Sequence, residues 1–292
     1  MKNKQKKWIL FFLMTSFLLN ACGKQTGEAT SGKEEVDQLA QIKENGKLVV
    51  GTSPDFPPSE FYILGDDGKK EIVGSDISLA KAIADEIGVT IDIKATDFNG
   101  VLANIQSGSV DFGISGFVGT DERGQIMDFS DGYQQEASDG YQGLLVTKEI
   151  AEKYPDLDSF KKAKLTIGAQ GGSIQFEIAQ KLTDTKNIKQ FGTMDAAILA
   201  LNSGDIQAVT VSTSSVEPLL NTFPELTILP QEAFDLDPEN QYATNVIGFP
   251  KDKENQSFIE LVNKVIQENK DNGNLKKWHE KAQEQSKNAL DE

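Results

Sequence analysis

Arg123 closes the segment Thr120-Asp121-Glu122-Arg123, which reads as a capped helix start. Its planar guanidinium suits two parallel hydrogen bonds to a carboxylate, although an Arg on a surface helix is more often simply solvated. Gly171-Gly172-Ser173 opens a helical stretch from Ile174 to Leu182. Free backbone N–H groups and the helix dipole at such a start attract an anion, yet many helices begin this way without one. Phe56, Phe98 and Phe117 fall in loops or at element ends, where a ring can stack on a flat group; each taken singly also suits a core. The chain has one Cys and one His, too few for a zinc site. A Ser-His or Cys-His pair would depend on His279, which lies in a Lys/Glu-rich helical pattern near the C-terminus. These residue types favour binding over catalysis, and nothing in them points to a cofactor or metal.

The elements that must position these groups occupy 292 residues, enough for two lobes. A formal net charge of −16 gives no clustered Lys/Arg for phosphate, so nucleic acid is excluded as a partner. The chain opens with Lys2, Lys4, Lys6 and Lys7, then an apolar run from Trp8 to Leu19, too short to span a bilayer and suited to a signal peptide. It ends in Leu19-Asn20-Ala21-Cys22-Gly23, which resembles the lipobox of bacterial lipoproteins, with Asn20 a mild departure. That resemblance implies a signal peptide over 1–21, a lipid on Cys22 and a mature protein anchored to the outer face of the cell membrane. Residues 22–43 are expected to form the tether, being small and polar from Lys24 to Val36.

Two halves repeat one plan. Lys47–Ser53 and Lys164–Gln170 each read as a buried strand entering a loop. Ile105–Asp111 and Leu201–Gln207 each read as a helix end, a Gly cap and a strand start. Helices between strands imply parallel pairing and an α/β sheet in each lobe. Ile77, Ala80, Ile83, Ala84 and Ile87 form a helical stripe closed by Gly88, and Thr193 caps a helix from Met194 to Leu201. The polar stretches Gly132–Gly143 and Asp235–Gln241 are candidates for two connections between lobes, or for surface loops of one larger domain. The expected lobes are 44–134 with 243–292, and 138–240. Ligands of open parallel sheets sit beyond the carboxyl ends of strands. The loops nominated are Ser53–Phe56, Ser115–Arg123, Gln170–Ser173 and Ser212–Ser214.

From about Lys47 to Ala282 the chain resembles the family 3 extracellular solute-binding proteins, the polar-amino-acid receptors of ABC importers. The resemblance is carried by Gly51-Thr52-Ser53-Pro54-Asp55-Phe56-Pro57-Pro58, Val73-Gly74-Ser75-Asp76-Ile77, Ser107-Gly108-Ser109-Val110-Asp111, Thr120–Arg123 and Asp128-Phe129-Ser130-Asp131, with Asp271–Leu275 and Trp278 closing it. It implies a periplasmic-binding-protein-like α/β fold. Two lobes, joined by a hinge of two crossing strands, close on an amino acid as a monomer and deliver it to a membrane permease and its ATPase. It further implies that Phe56 and Phe98 wall the ligand side chain, that Ser115 and Gly116 contact the α-groups, and that Arg123 and Ser173 hold the carboxylate. Ser53, Phe117, Gln170, Gly172 and Ser212 complete the implied site.

The departures are Ser212, where many members carry an Asp for the ligand ammonium, and Ser59, Ser75 and Val118, where bulkier or more polar groups are common. The phrasing around Val73–Gly88 most resembles arginine/lysine-type receptors of Gram-positive bacteria. A basic or polar amino acid is therefore expected, with a modified amino acid or small peptide as the alternative. A dehydratase would need an acid or base in the cleft, for which Glu136, Asp139 or Glu177 are imaginable. A purely structural lipoprotein would give Arg123 and Ser173 no reason to converge.

Overall fold

The computed structural model describes residues 37–135, 140–251 and 253–290. The signal segment, Cys22, the chain up to residue 36, Glu136 and Asp139 lie outside them. Before the first crossing come α1 (Gln38–Asn45), β1 (Lys47–Thr52), β2 (Asp55–Phe56), β3 (Glu60–Leu64), β4 (Lys70–Val73), α2 (Ser75–Ile87), β5 (Thr90–Ala95), α3 (Phe98–Ser107), β6 (Phe112–Gly113), β7 (Met127–Phe129) and β8 (Gln134–Gln135). There follow β9 (Gln142–Thr147), α4 (Lys148–Lys153), α5 (Leu157–Ala163), β10 (Ile167–Gln170), α6 (Ile174–Gln180), β11 (Ile188–Phe191), α7 (Met194–Asn202), β12 (Ala208–Ser212), α8 (Thr213–Val216), β13 (Leu226–Ile228) and α9 (Gln231–Phe234). The return is β14 (Thr244–Asn245), β15 (Gly248–Pro250), α10 (Gln256–Asp271) and α11 (Asn274–Ser286).

The fold is two α/β lobes. One sheet runs β5-β1-β6-β15-β7, the other β11-β10-β12-β9-β13, and β8 pairs with β14 antiparallel between them. The repeated plan is visible: β1 lies parallel between β5 and β6, as β10 does between β11 and β12. Pairing is mixed where all-parallel was expected, because β15 and β9 run antiparallel to β6 and β12. Each follows a crossing strand, so it enters its sheet from the carboxyl edge and must run against its neighbours.

Local sequence explains the elements that carry the site. The α2 stripe Ile77, Ala80, Ile83, Ala84 and Ile87 is buried, and Gly88 ends the helix at φ +82°. Asp97 caps α3 by accepting from Gly100 N–H at 2.7 Å, and Thr193 caps α7 through Ala196 N–H. Phe112 of β6, Phe249 of β15 and Phe258 of α10 pack with centroids 5.4–6.0 Å apart, tying the returning chain into the first lobe.

Two further expectations are corrected. The tether expected over 22–43 gives way to helix from Gln38: Asp37 accepts from Ala40 N–H, Ile42 is buried, and Gln38 N–H donates to Glu254. Only Leu39, Ala40 and Ile42 mark that helix in sequence, too few for a visible stripe. The second crossing is Thr244–Asn245, a few residues after the expected Asp235–Gln241. That stretch turns on Asp237, whose carboxylate accepts from Gln241 and Tyr242 N–H.

The start of α2 is fixed by the preceding loop: Pro58 and Ser59 carbonyls accept from Ser75 and Asp76 N–H. Gly74 enters that turn at φ +137°, and a Cβ there would stand 2.0 Å from the Ser59 carbonyl oxygen. Gly74→Ala should therefore destabilise the protein by at least about 2 kcal/mol and lower Tm by several degrees, read by thermal and denaturant unfolding. A variant as stable as the wild type would refute this account of the turn.

Candidate functional site

A small cavity lies between the lobes. The first lobe contributes Asp55 and Phe56 of β2, Glu60 of β3, Phe98 at the start of α3, and Ser115, Gly116, Val118 and Arg123 beyond β6. The second contributes Gln170 at the end of β10, Ser173, and Ile174 and Gln175 of α6. A wider hollow opens beside α11 with Trp278 and His279, but Arg123, Asp55 and Glu60 line the inter-lobe cavity.

Arg123 is the cation of this cavity. Thr120 holds the turn by accepting from Arg123 N–H at 3.2 Å, and the side chain is 6% exposed. Nη1 donates to Val118 O at 2.7 Å and Nη2 to Gly172 O at 3.0 Å, the latter across the lobes. The guanidinium carbon lies 5.5 Å from the Phe98 ring centre and 5.7 Å from that of Phe117. Burial pulls its pKa down to about 10, opposed by the charges of Glu177 and Glu122, so it stays charged at neutral pH. Among the described residues no carboxylate comes within ion-pair distance of it.

The opposite wall is acidic. Glu60 is fully buried, and burial, with Asp76's charge beside it, pushes its carboxyl well above the usual range. Its Oε1 accepts from Ser115 Oγ at 2.8 Å, and Ser115 Oγ accepts from Ser53 N–H at 3.0 Å. Burial also raises the Asp76 carboxyl, opposed by hydrogen bonds from Tyr133 Oη at 2.7 Å and Gly116 N at 3.1 Å. Asp55 spans the lobes: Oδ1 accepts from Ser53 Oγ, and Oδ2 accepts from Gln170 Nε2 and from Met194 N at the start of α7, each at 2.8 Å.

The residues singled out from sequence fall into two groups. Phe56, Phe98, Ser115, Gly116, Arg123, Gln170 and Ser173 line the cavity. Ser53 and Phe117 sit behind it, Phe117 wholly buried with its ring centre 5.2 Å from that of Phe98. Gly172, at φ +71°, sits at the lobe contact, where a Cβ would meet Asn99 at 2.5 Å. Ser212 lines a separate hollow with Asp235 and Asp237. Ser173 caps α6 through Phe176 N–H while its hydroxyl donates to Gln170 O. His279 is bonded to Gln134 on the far side of the first lobe's hinge strand. Sequence reasoning did not single out Asp55, Glu60 or Gln175 as cavity walls. The available signal for Glu60 was an acid at the head of the apolar run Phe61-Tyr62-Ile63-Leu64.

A buried cation, an acidic wall facing it and two lobes meeting over both define a two-lobed solute receptor of the periplasmic-binding-protein type. The chain belongs to the bacterial extracellular solute-binding proteins, family 3, whose sequence profile matches residues 48–285. It is 31% identical over 283 residues to the arginine-binding extracellular protein ArtP of Bacillus subtilis (strain 168), covering 94% of this chain and 97% of that one. It is 30% identical over 207 residues to the glutamine-binding protein GlnH of the same strain, covering 69% and 71%. In structure it matches an amino acid ABC transporter substrate-binding protein from Streptococcus pneumoniae Canada MDR_19A bound to L-arginine. That match has TM-score 0.73 at 35% identity and covers 85% of this chain and 98% of that one.

Asp55 is the carboxylate that joins the lobes directly. Asp55→Ala should shift the open–closed balance toward open by about tenfold or more, the worth of one hydrogen bond to a charged group. Small-angle scattering should then give a larger radius for the variant than for the wild type; equal radii would refute the bridging role.

Proposed function

We propose that this chain is the substrate-binding lipoprotein of an ABC importer, taking one amino acid, with arginine or lysine first, between its lobes. The observation that carries this reading is Arg123, a buried guanidinium hydrogen-bonded among the described residues to carbonyls alone, in one cavity with Glu60 and Asp55. A ligand carboxylate supplies the pairing that a desolvated cation lacks. A cationic side chain between Phe56 and Phe98 meets the acidic wall. Arginine bound in a structural relative supports that choice. Ser115, Gly116, Gln170 and Ser173 line the rest of the cavity, and Phe117 backs Phe98 and Arg123.

The mechanism is closure. Each lobe holds part of the site, so a ligand touching both favours the closed form by the contacts that only that form makes. The closed monomer docks on a permease, whose ATPase drives release. The lipid on Cys22 keeps the receptor at the outer face of the membrane.

A thermal-shift and calorimetric screen of residues 23–292 against the twenty amino acids tests the ligand. L-arginine or L-lysine should give the largest rise in Tm. Arg123→Ala should lose on the order of 100-fold or more in affinity while the unliganded protein melts no lower, because an unpaired buried charge has been removed. Unchanged affinity in that variant would remove the carboxylate clamp. In a lipoprotein-producing bacterial host, the full chain should take up a radiolabelled fatty acid and fractionate with membranes, and Cys22→Ser should do neither. Labelling that survives in Cys22→Ser would place the anchor elsewhere.

A further inference from the structure

Glu60 and Asp76 are held side by side: Asp76 N–H donates to Ser59 O, and the adjacent Ser115 and Gly116 donate to the two carboxyls. Glu60 Oε2 and Asp76 Oδ1 are both buried, and neither meets an N–H or O–H donor among the described residues. Their other oxygens are satisfied, Glu60 Oε1 by Ser115 and Asp76 Oδ2 by Tyr133 and Gly116. Two buried carboxylates side by side would be left with unpaired charge and unpaired lone pairs. One proton resolves both: Glu60 donates it to Asp76, which carries two further donors and is the better anion. The pair is built wholly within the first lobe, so it persists when the lobes part. Glu60 lines the cavity, and Asp76 lies behind it.

The other titratable or charged groups facing the pair are Asp55 on β2, whose charge adds to the pressure on Glu60, Tyr133 before β8, and His279 on α11, whose charge acts on Asp76. Arg123 lies in the same cavity and is charged throughout the neutral range. A neutral ligand leaves the shared proton in place. An ammonium or guanidinium against Glu60 reverses the balance, because a cation within a few ångströms favours the ionised carboxyl. Resting on the amino-acid reading above, we propose that Glu60 holds one proton against Asp76 in the unliganded site and releases it to solvent when a cationic side chain enters. Capture of a cationic amino acid is thereby coupled to the loss of one proton, and capture of a neutral one is not.

The sign follows from linkage. A binding step that releases one proton strengthens as pH rises, by about tenfold per pH unit, up to the pH at which Glu60 ionises in the unliganded protein, and is flat above it. Calorimetric titration of the wild type with L-arginine and with L-glutamine, in buffers of low and high ionisation enthalpy at one pH, counts the protons. The expected result is one proton released with L-arginine and none with L-glutamine. Equal counts for the two ligands, or none with L-arginine, would overturn the proposal. Glu60→Gln keeps an acceptor for Ser115 and offers Asp76 an N–H, so it should fold, and its weakened L-arginine affinity should not vary with pH. A slope that persists in Glu60→Gln, or that vanishes in His279→Gln, assigns the proton elsewhere and sinks the idea.

A readout without any ligand separates this proposal from the amino-acid reading. Infrared spectra of the unliganded wild type at neutral pH should contain a protonated-carboxyl C=O stretch that Glu60→Gln lacks. Absence of that band from the wild type refutes the shared proton whatever the protein binds. The band together with no binding of any amino acid refutes the coupling by removing the reading it rests on.

Discussion

A guanidinium taken out of water without a carboxylate beside it is an expensive arrangement, and the cavity is organised around that fact. Arg123 gives hydrogen bonds to two carbonyl oxygens and lies against two aromatic rings, which lessen the cost without cancelling the charge. One of those carbonyls, Gly172, belongs to the other lobe. The cation is therefore completed only when the lobes meet, and closure desolvates it at the same moment. An anion arriving in the cavity gains a partner that is worth most in the closed form, where the surroundings are least polar. This is the condition for a ligand to drive a conformational change: its interaction free energy must differ between the two states.

Asp55 plays the complementary part. Its carboxylate is used up by donors from both lobes, Gln170 and the start of α7 on one side and Ser53 on the other. An acid so engaged contributes to closing the lobes more than to reading a ligand. Glu60 differs because one of its oxygens meets no hydrogen-bond donor among the described residues. The two acids on one wall thus divide the work: Asp55 links protein to protein, and Glu60 keeps its charge in reserve.

The sequence made the scaffold legible where physics is local. The α2 stripe with Gly88, the capped start of α7 and the doubled strand-plus-helix plan are periodicity and capping, and each can be read without knowing the fold. Arg123 and Ser173 stood out by the same reasoning, since a fork-shaped cation and a Gly-rich helix start name an anion. What stayed hidden depended on pairing across distance. Helix α1 shows only Leu39, Ala40 and Ile42 as apolar residues and is held by contacts to residues far along the chain, such as Glu254. The crossing strand Thr244–Asn245 is two residues long and defined only by its partner strand. Glu60 reads as an ordinary strand acid until Asp76 is placed beside it.

Charge accounting then links the two walls. With Arg123 charged and Glu60 protonated, a zwitterion with a neutral side chain brings a carboxylate for Arg123 and an ammonium for the polar rim near Asp55. A ligand with a second cation brings one positive charge more than that arrangement can balance, and ionising Glu60 supplies the missing negative charge. A permanently ionised Glu60 would instead leave a bare carboxylate pair under the wall whenever the cavity held a neutral guest. That would add repulsion to the empty and neutral-liganded forms alike. A proton shared within the pair lets one cavity match its charge to what it holds, and the cost of the adjustment falls on the ligand that requires it.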